Sequence, residues 1–139
     1  MITRGIRNNN PFNIKISNSN WKGKIKVAFN TDGVFEQFES MKYGLRAGVV
    51  LLRNYQKKHN IYSIKDFISR FAPSNENDVK VYVIFVCNYL RSYGYFVHPV
   101  SRIKIDSIEF FIMCCAICEY ESKFDVSYYD MISAYGKFK

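Results

Sequence analysis

Ser107-Ile108-Glu109-Phe110-Phe111-Ile112-Met113-Cys114-Cys115-Ala116-Ile117-Cys118-Glu119-Tyr120-Glu121-Ser122 is the most apolar stretch of the chain, and its boundaries decide what it can be. Asp106 or Ser107 is the type of residue that starts a helix, since a short side-chain oxygen can accept from an orphan amide of the first turn. The uninterrupted part, Ile108 to Cys118, is 11 residues long and carries Glu109. A membrane span needs ~18 residues, so the stretch reads as a buried helix running to about Tyr120. No membrane insertion is expected of this chain.

Helical patterning continues upstream. From Ser40, a plausible cap, Tyr43, Leu45, Ala47, Val50, Leu51 and Tyr55 supply an apolar stripe to about Lys58. Ser63 opens a short helix, Ile64 to Phe71, that stops at Ala72-Pro73, because the residue before proline is pushed out of helical backbone. Ser74 or Asn75 opens another, Glu76 to about Arg91, ending near Gly94, and a last helix is expected from Ser127 to Tyr135. The first 40 residues read differently. Asn8-Asn9-Asn10-Pro11 is turn chemistry, while Lys24 to Phe29 alternates with period two and is expected to be a strand. Asn30-Thr31-Asp32-Gly33 would turn it back onto Val34 to Phe38. The expectation is an α+β fold, mainly helical, with a small N-terminal antiparallel β element. It forms one domain, 1–139, divided into a β element (1–40) and a helical part (41–139).

Composition bounds the partners. With 139 residues, 48% of them hydrophobic, the chain can bury roughly two-thirds of its unfolded surface around one core. Its 20 Lys and Arg against 12 Asp and Glu give a net charge of +8, which favours polyanions, among them nucleic acid, anionic lipid and the bacterial wall. Basic residues are scattered and no helix-turn-helix, finger or RNP pattern is present, so nucleic acid is not expected. The segment Met1 to Asn10 lacks the apolar run of a secretory signal. Synthesis in a bacterial cytoplasm is therefore expected, and action outside it would need delivery.

Cys87, Cys114, Cys115 and Cys118 are poorly laid out for disulfides, three of them lying within five residues. Cys115-x-x-Cys118 could be half of a zinc or redox site, but His59 and His98 show no paired spacing to complete it. Buried, reduced thiols are the expectation, with no metal and no cofactor.

Arg4-Gly5-Ile6-Arg7-Asn8-Asn9-Asn10-Pro11-Phe12-Asn13-Ile14, followed by Trp21-x-Gly23, resembles the opening R-G-I-R-N-N-N-P-G-N-I … W-x-G of a phage and prophage family of lysozyme-like, lytic-transglycosylase-like virion proteins. Phe35-x-x-Phe38-x-Ser40, Tyr43-Gly44-Leu45-Arg46-Ala47, Leu52-x-x-Tyr55, Ile68-Ser69-Arg70-Phe71-Ala72-Pro73, Glu76-Asn77 and Tyr82 extend the resemblance, which covers about residues 4 to 122. Three positions depart from the pattern: Phe12 and Lys123 stand where the family has Gly, and Ser74 where it has Pro. The early motifs are also similar to the β element of bacterial glucosaminidases with a lysozyme-like fold, in which the catalytic Glu precedes that element. Here only Met1 to Thr3 precede it, yet Ala116-Ile117-Cys118-Glu119-Tyr120-Glu121-Ser122-Lys123-Phe124 resembles the A-I-x-x-x-E-S-G-F of transglycosylases. A circularly permuted lysozyme-like fold would reconcile the two.

The resemblance implies cleavage of peptidoglycan glycan strands, by a lytic transglycosylase or a muramidase, with Glu121 as general acid/base. Glycosidic cleavage needs a protonated carboxylic acid at neutral pH, a condition that an apolar wall promotes. Glu119 sits two residues away on another helix face; Glu36 and Glu76 are further second choices, and Glu36, Glu39 and Asp32 are candidates for a second carboxylate. Glu36, Glu39 and Asp32 read first as ordinary surface charges, and Glu76 as a capping charge at a helix start. Asn8, Asn10 and Asn13 can bind N-acetyl groups or simply hold their turn. Trp21 and Tyr120 can stack on sugar rings or belong to the core, and Arg46 can pair with a carboxylate or face a sugar. The implied site of action is the cell wall or periplasm, reached by phage or secretion machinery, with virion or secretion-system components as further partners. The competing expectation is a non-catalytic relative that binds cell wall or serves as a structural part of such an apparatus.

Overall fold

Four of the helices begin in the same way: a Ser or Asn side chain accepts from the amide three residues on. Ser63 takes Asp66 N at 3.0 Å, Asn75 takes Asp78 N at 2.9 Å, Ser107 takes Phe110 N at 3.2 Å and Ser127 takes Asp130 N at 3.1 Å. In the computed structural model, which describes residues 2–136, these caps open α3 (Ile64–Phe71), α4 (Glu76–Ser92), α5 (Ile108–Ser122) and α6 (Tyr128–Tyr135). A short α1 (Arg4–Arg7) and a long α2 (Met41–His59) precede them. Ser40 stands at the cap of α2 as expected, but its hydroxyl makes no capping bond. Met1 and residues 137–139, part of the expected domain, lie outside the described residues.

The apolar helix α5 is the axis of the core: every residue from Phe110 to Cys118 is buried. Helix α4 packs along it, α6 and α2 cover other sides, and α1 touches its end. The molecule is mainly helical, and among the described residues no helix is long and apolar enough to cross a membrane.

The N-terminal region differs from expectation. Among the described residues it holds no strand, only the isolated antiparallel bridges Lys15–Phe35 and Lys24–Phe38. Residues 34–39 run between two segments, exchanging Glu36 N to Ile14 O and Ile16 N to Val34 O on one side, Ile25 N to Gln37 O and Glu39 N to Gly23 O on the other. The expected strand Lys24 to Phe29 instead closes into a 3-10 turn at Val27–Phe29. Its alternation is real, but Phe29 is 72% and Val27 53% exposed, so no core covers the apolar face and nothing holds the segment extended. The Asp-Gly pair lies in an Asn-capped loop, with Asn30 Oδ1 accepting from the amides of Asp32 and Gly33.

Phe12 is fully buried against α2. A Cβ at Gly48 would run into the Phe12 ring, so the large residue at one position and the absent side chain at the other form one packing unit. One turn earlier Gly44 lets the Asn9 carbonyl approach the helix backbone in the same way.

Candidate functional site: a cleft between the N-terminal segment and the end of α5

The end of α5 and the start of the chain are sewn together by side chains. Thr3 Oγ1 donates to Ser122 O at 2.7 Å, and Ser122 Oγ donates to Pro11 O at 2.8 Å. Between these ties the Asn8-Asn9-Asn10-Pro11 turn is held by side-chain hydrogen bonds. Asn10, fully buried, donates to Ile14 O and Glu36 O and accepts from Ile14 N. Asn9, at φ 53°, donates to Phe38 O. Asn13 then takes the left-handed conformation, φ 54°, which Asn tolerates better than most residues. That turn aims its side chain at Glu121.

Asn13 Nδ2 lies 3.2 Å from Glu121 Oε1 and 3.2 Å from the Glu121 carbonyl. Tyr82, reaching across from α4, donates its hydroxyl to Oε2 at 2.9 Å. Each carboxylate oxygen therefore has a donor. This offsets part of the cost of placing an anion where the helix macrodipole already presents negative charge. Burial first, then the charge and hydrogen bond of Glu121, push the Tyr82 phenol far above its ordinary range, so Tyr82 is here a hydrogen-bond donor and not a base.

Glu121 and Asn13 line an open cleft of about 460 Å³. Phe35 and Lys15 come to it from the N-terminal segment, Tyr55 from α2 and Phe71 from the end of α3. The volume is in the range of small-molecule sites, and its walls are largely aromatic and aliphatic with a few polar atoms converging. Asn13 Oδ1 is buried and has no hydrogen-bond partner among the described residues.

The other candidates lie elsewhere. Asn8 is buried, donating to Asp32 Oδ1 at 3.0 Å and accepting from Gln37 Nε2 at 3.0 Å; like Asn10, it holds the fold. Trp21 is half-buried against the core and does not line the cleft; its indole N–H is buried without a partner among the described residues. Arg46 is half-buried, with no ion pair among the described residues, and also lies off the cleft. Tyr120 is 39% exposed and stacks on Tyr82, ring centroids 3.8 Å apart. It lies outside the cleft lining.

Among the carboxylates, Glu36 is fully buried, ion-paired to Lys24 Nζ at 2.8 Å and bonded to Ser17 N at 3.2 Å. It locks a loop and does not reach the cleft. Asp32 is gripped by Arg4 at 2.7 and 2.9 Å; the Arg4 contact, then Asn8, then the Phe35 amide, hold its carboxyl well below the usual range. Glu39 is exposed, and Glu119 is half-buried without a side-chain hydrogen bond among the described residues. Glu76 is exposed in the first turn of α4, beside an apolar groove formed with Val79, Val83 and Ile84. The four cysteines are free and buried, and burial pushes the Cys115 thiol up to about 12.

No family model matches the chain. Over 88 residues it is 42% identical to Protein P5 of Pseudoalteromonas phage PM2. The chain is similar to a phage protein. The matched region takes in 61% of this chain and 54% of Protein P5, so the chain spans about half the length of the curated relative it matches.

Proposed function

We propose that this protein cleaves the glycan strands of bacterial peptidoglycan, as a lytic transglycosylase or a muramidase, with Glu121 as the general acid/base. The observation that carries the reading is the meeting of Glu121 with the Asn13 turn in one cleft. Two motifs that resemble those of wall-cleaving enzymes in swapped order are brought to a single place, with Asn13 Nδ2 3.2 Å from Glu121 Oε1. A circularly permuted, lysozyme-like arrangement accounts for that meeting, with the bridged N-terminal residues standing for the β element of such enzymes. A lone acid suits a lytic transglycosylase, in which the sugar's own groups complete the reaction. The similarity to a phage protein supports action at the cell wall after delivery by a phage particle.

One observation favours a second reading, a non-catalytic wall-binding or virion part. Lys123 occupies the left-handed position closing α5, φ 51°, two residues after the acid, where the family pattern has Gly. Incubation with purified peptidoglycan, followed by mass spectrometry of the soluble products, separates the two. Anhydromuramyl products indicate a transglycosylase and reducing muramyl or glucosaminyl ends a hydrolase. Binding to sacculi without release of products replaces the enzyme reading with the binding one.

A further inference from the structure

Resting on the reading of Glu121 as the acid, a residue outside the cleft acquires a role. Tyr82 is 4% exposed, on the face of α4 that packs along α5. Its ring lies on that of Tyr120, centroids 3.8 Å apart and planes 24° apart, so the direction of its hydroxyl is fixed by packing. That hydroxyl ends 2.9 Å from Glu121 Oε2, while Asn13 Nδ2 holds Oε1 from the other side.

The geometry points to Tyr82 as a positioning residue that acts through Glu121, holding the carboxyl group in the one orientation that presents it to the cleft. A glutamate at a helix end has three rotatable bonds, and a free one would spread its carboxyl over many orientations. A donor on each oxygen, one from α4 and one from the N-terminal turn, removes that freedom before substrate arrives. The phenol's raised ionisation keeps the proton on Tyr82, so it remains a donor.

A buried tyrosine also satisfies its hydroxyl for stability alone, and the experiment separates the two roles. Tyr82→Phe in the full chain keeps the ring and its stack and removes only the donor. Turnover of purified peptidoglycan is measured for parent and variant, with thermal melts run alongside and the assay kept where circular dichroism shows both folded. A positioning role predicts that kcat per folded molecule falls about tenfold or more with KM unchanged, since an interaction made only on the way to the transition state has been weakened. A lowered melting midpoint with unchanged kcat overturns the inference and leaves the acid assignment standing. A parent that releases no product overturns the acid assignment, and the inference with it.

Discussion

The side-chain amide of Asn13 spans two oxygens of Glu121, its Nδ2 lying 3.2 Å from the carboxylate Oε1 and 3.2 Å from the backbone carbonyl. One residue thus orients the candidate acid and caps the helix that carries it. Asn13 can do so because its backbone is left-handed at φ 54°.

Glu121→Gln is expected to keep the fold, the change being nearly isosteric, and to lower release of soluble wall fragments by at least about 10²-fold, the lower end of what general acid catalysis supplies. Glu119→Gln, off the cleft, should release fragments at the parental rate. Comparable release from the parent and both variants would remove Glu121 from the mechanism.

Asn13 separates backbone from side chain. Asn13→Ala should destabilise by about 2 kcal/mol, combining the cost of left-handed backbone with lost hydrogen bonds. Asn13→Gly, which relieves the backbone cost, should recover part of that loss in urea denaturation while remaining impaired in wall cleavage. Equal stability of the two variants would show that the backbone conformation contributes nothing.

Gly48→Ala should destabilise by about 1–3 kcal/mol, because the added methyl meets the Phe12 ring within a close-packed core. Phe12→Leu in the same chain should return part of the loss, the two changes being non-additive because the residues share one space. Additive effects in thermal or urea unfolding would show that the two sites are independent.

Asp32 sets an acid limit. Its carboxyl is held below the ordinary range by Arg4 first, then by Asn8 and the Phe35 amide. A group with a lowered folded pKa contributes stability that is complete above the unfolded value of about 4 and is lost as the pH falls through and below it. Asp32→Asn should therefore cost stability at about pH 7, and the difference from the parent should narrow steadily below about pH 4. Urea midpoints across that range read it out; a gap that widens on acidification would reverse the sign.

Lys123→Gly should stabilise the end of α5 by about 1 kcal/mol, since a side chain in left-handed backbone costs roughly that much. If the parent binds sacculi without cutting them, this substitution is the first to assay for gain of cleavage.

Helix positions were legible because their start signals are local. Ser63, Asn75, Ser107 and Ser127 each lie within three residues of the amide they cap, and every one opens a helix where the sequence places it. The segment Lys24 to Phe29 was misleading because alternation shows only that two faces differ; whether either is covered depends on distant residues, and here neither is. Among the site candidates, Glu121 and Asn13 share the cleft, whereas Asn8, Asn10 and Glu36 form internal bonds that have no local signature. Tyr82 was visible only as a motif position, since its partner is 39 residues away and nothing about a lone tyrosine names a distant carboxylate. Phe12 and Gly48 were likewise unreadable as a pair, each making sense only against the other.

The ties between the Asn13 turn and the end of α5 join residues 108 to 119 positions apart. On a ribosome the first half of the cleft is made long before the second. Until Ser122 has emerged, Asn13 has nothing to hold, and Glu121 arrives already attached to the most apolar helix of the chain. Contacts so distant in sequence form late, after the loop entropy between them has been overcome. The cleft thus cannot close before α5 is made, and a chain released before α5 would carry half the motifs and none of the site.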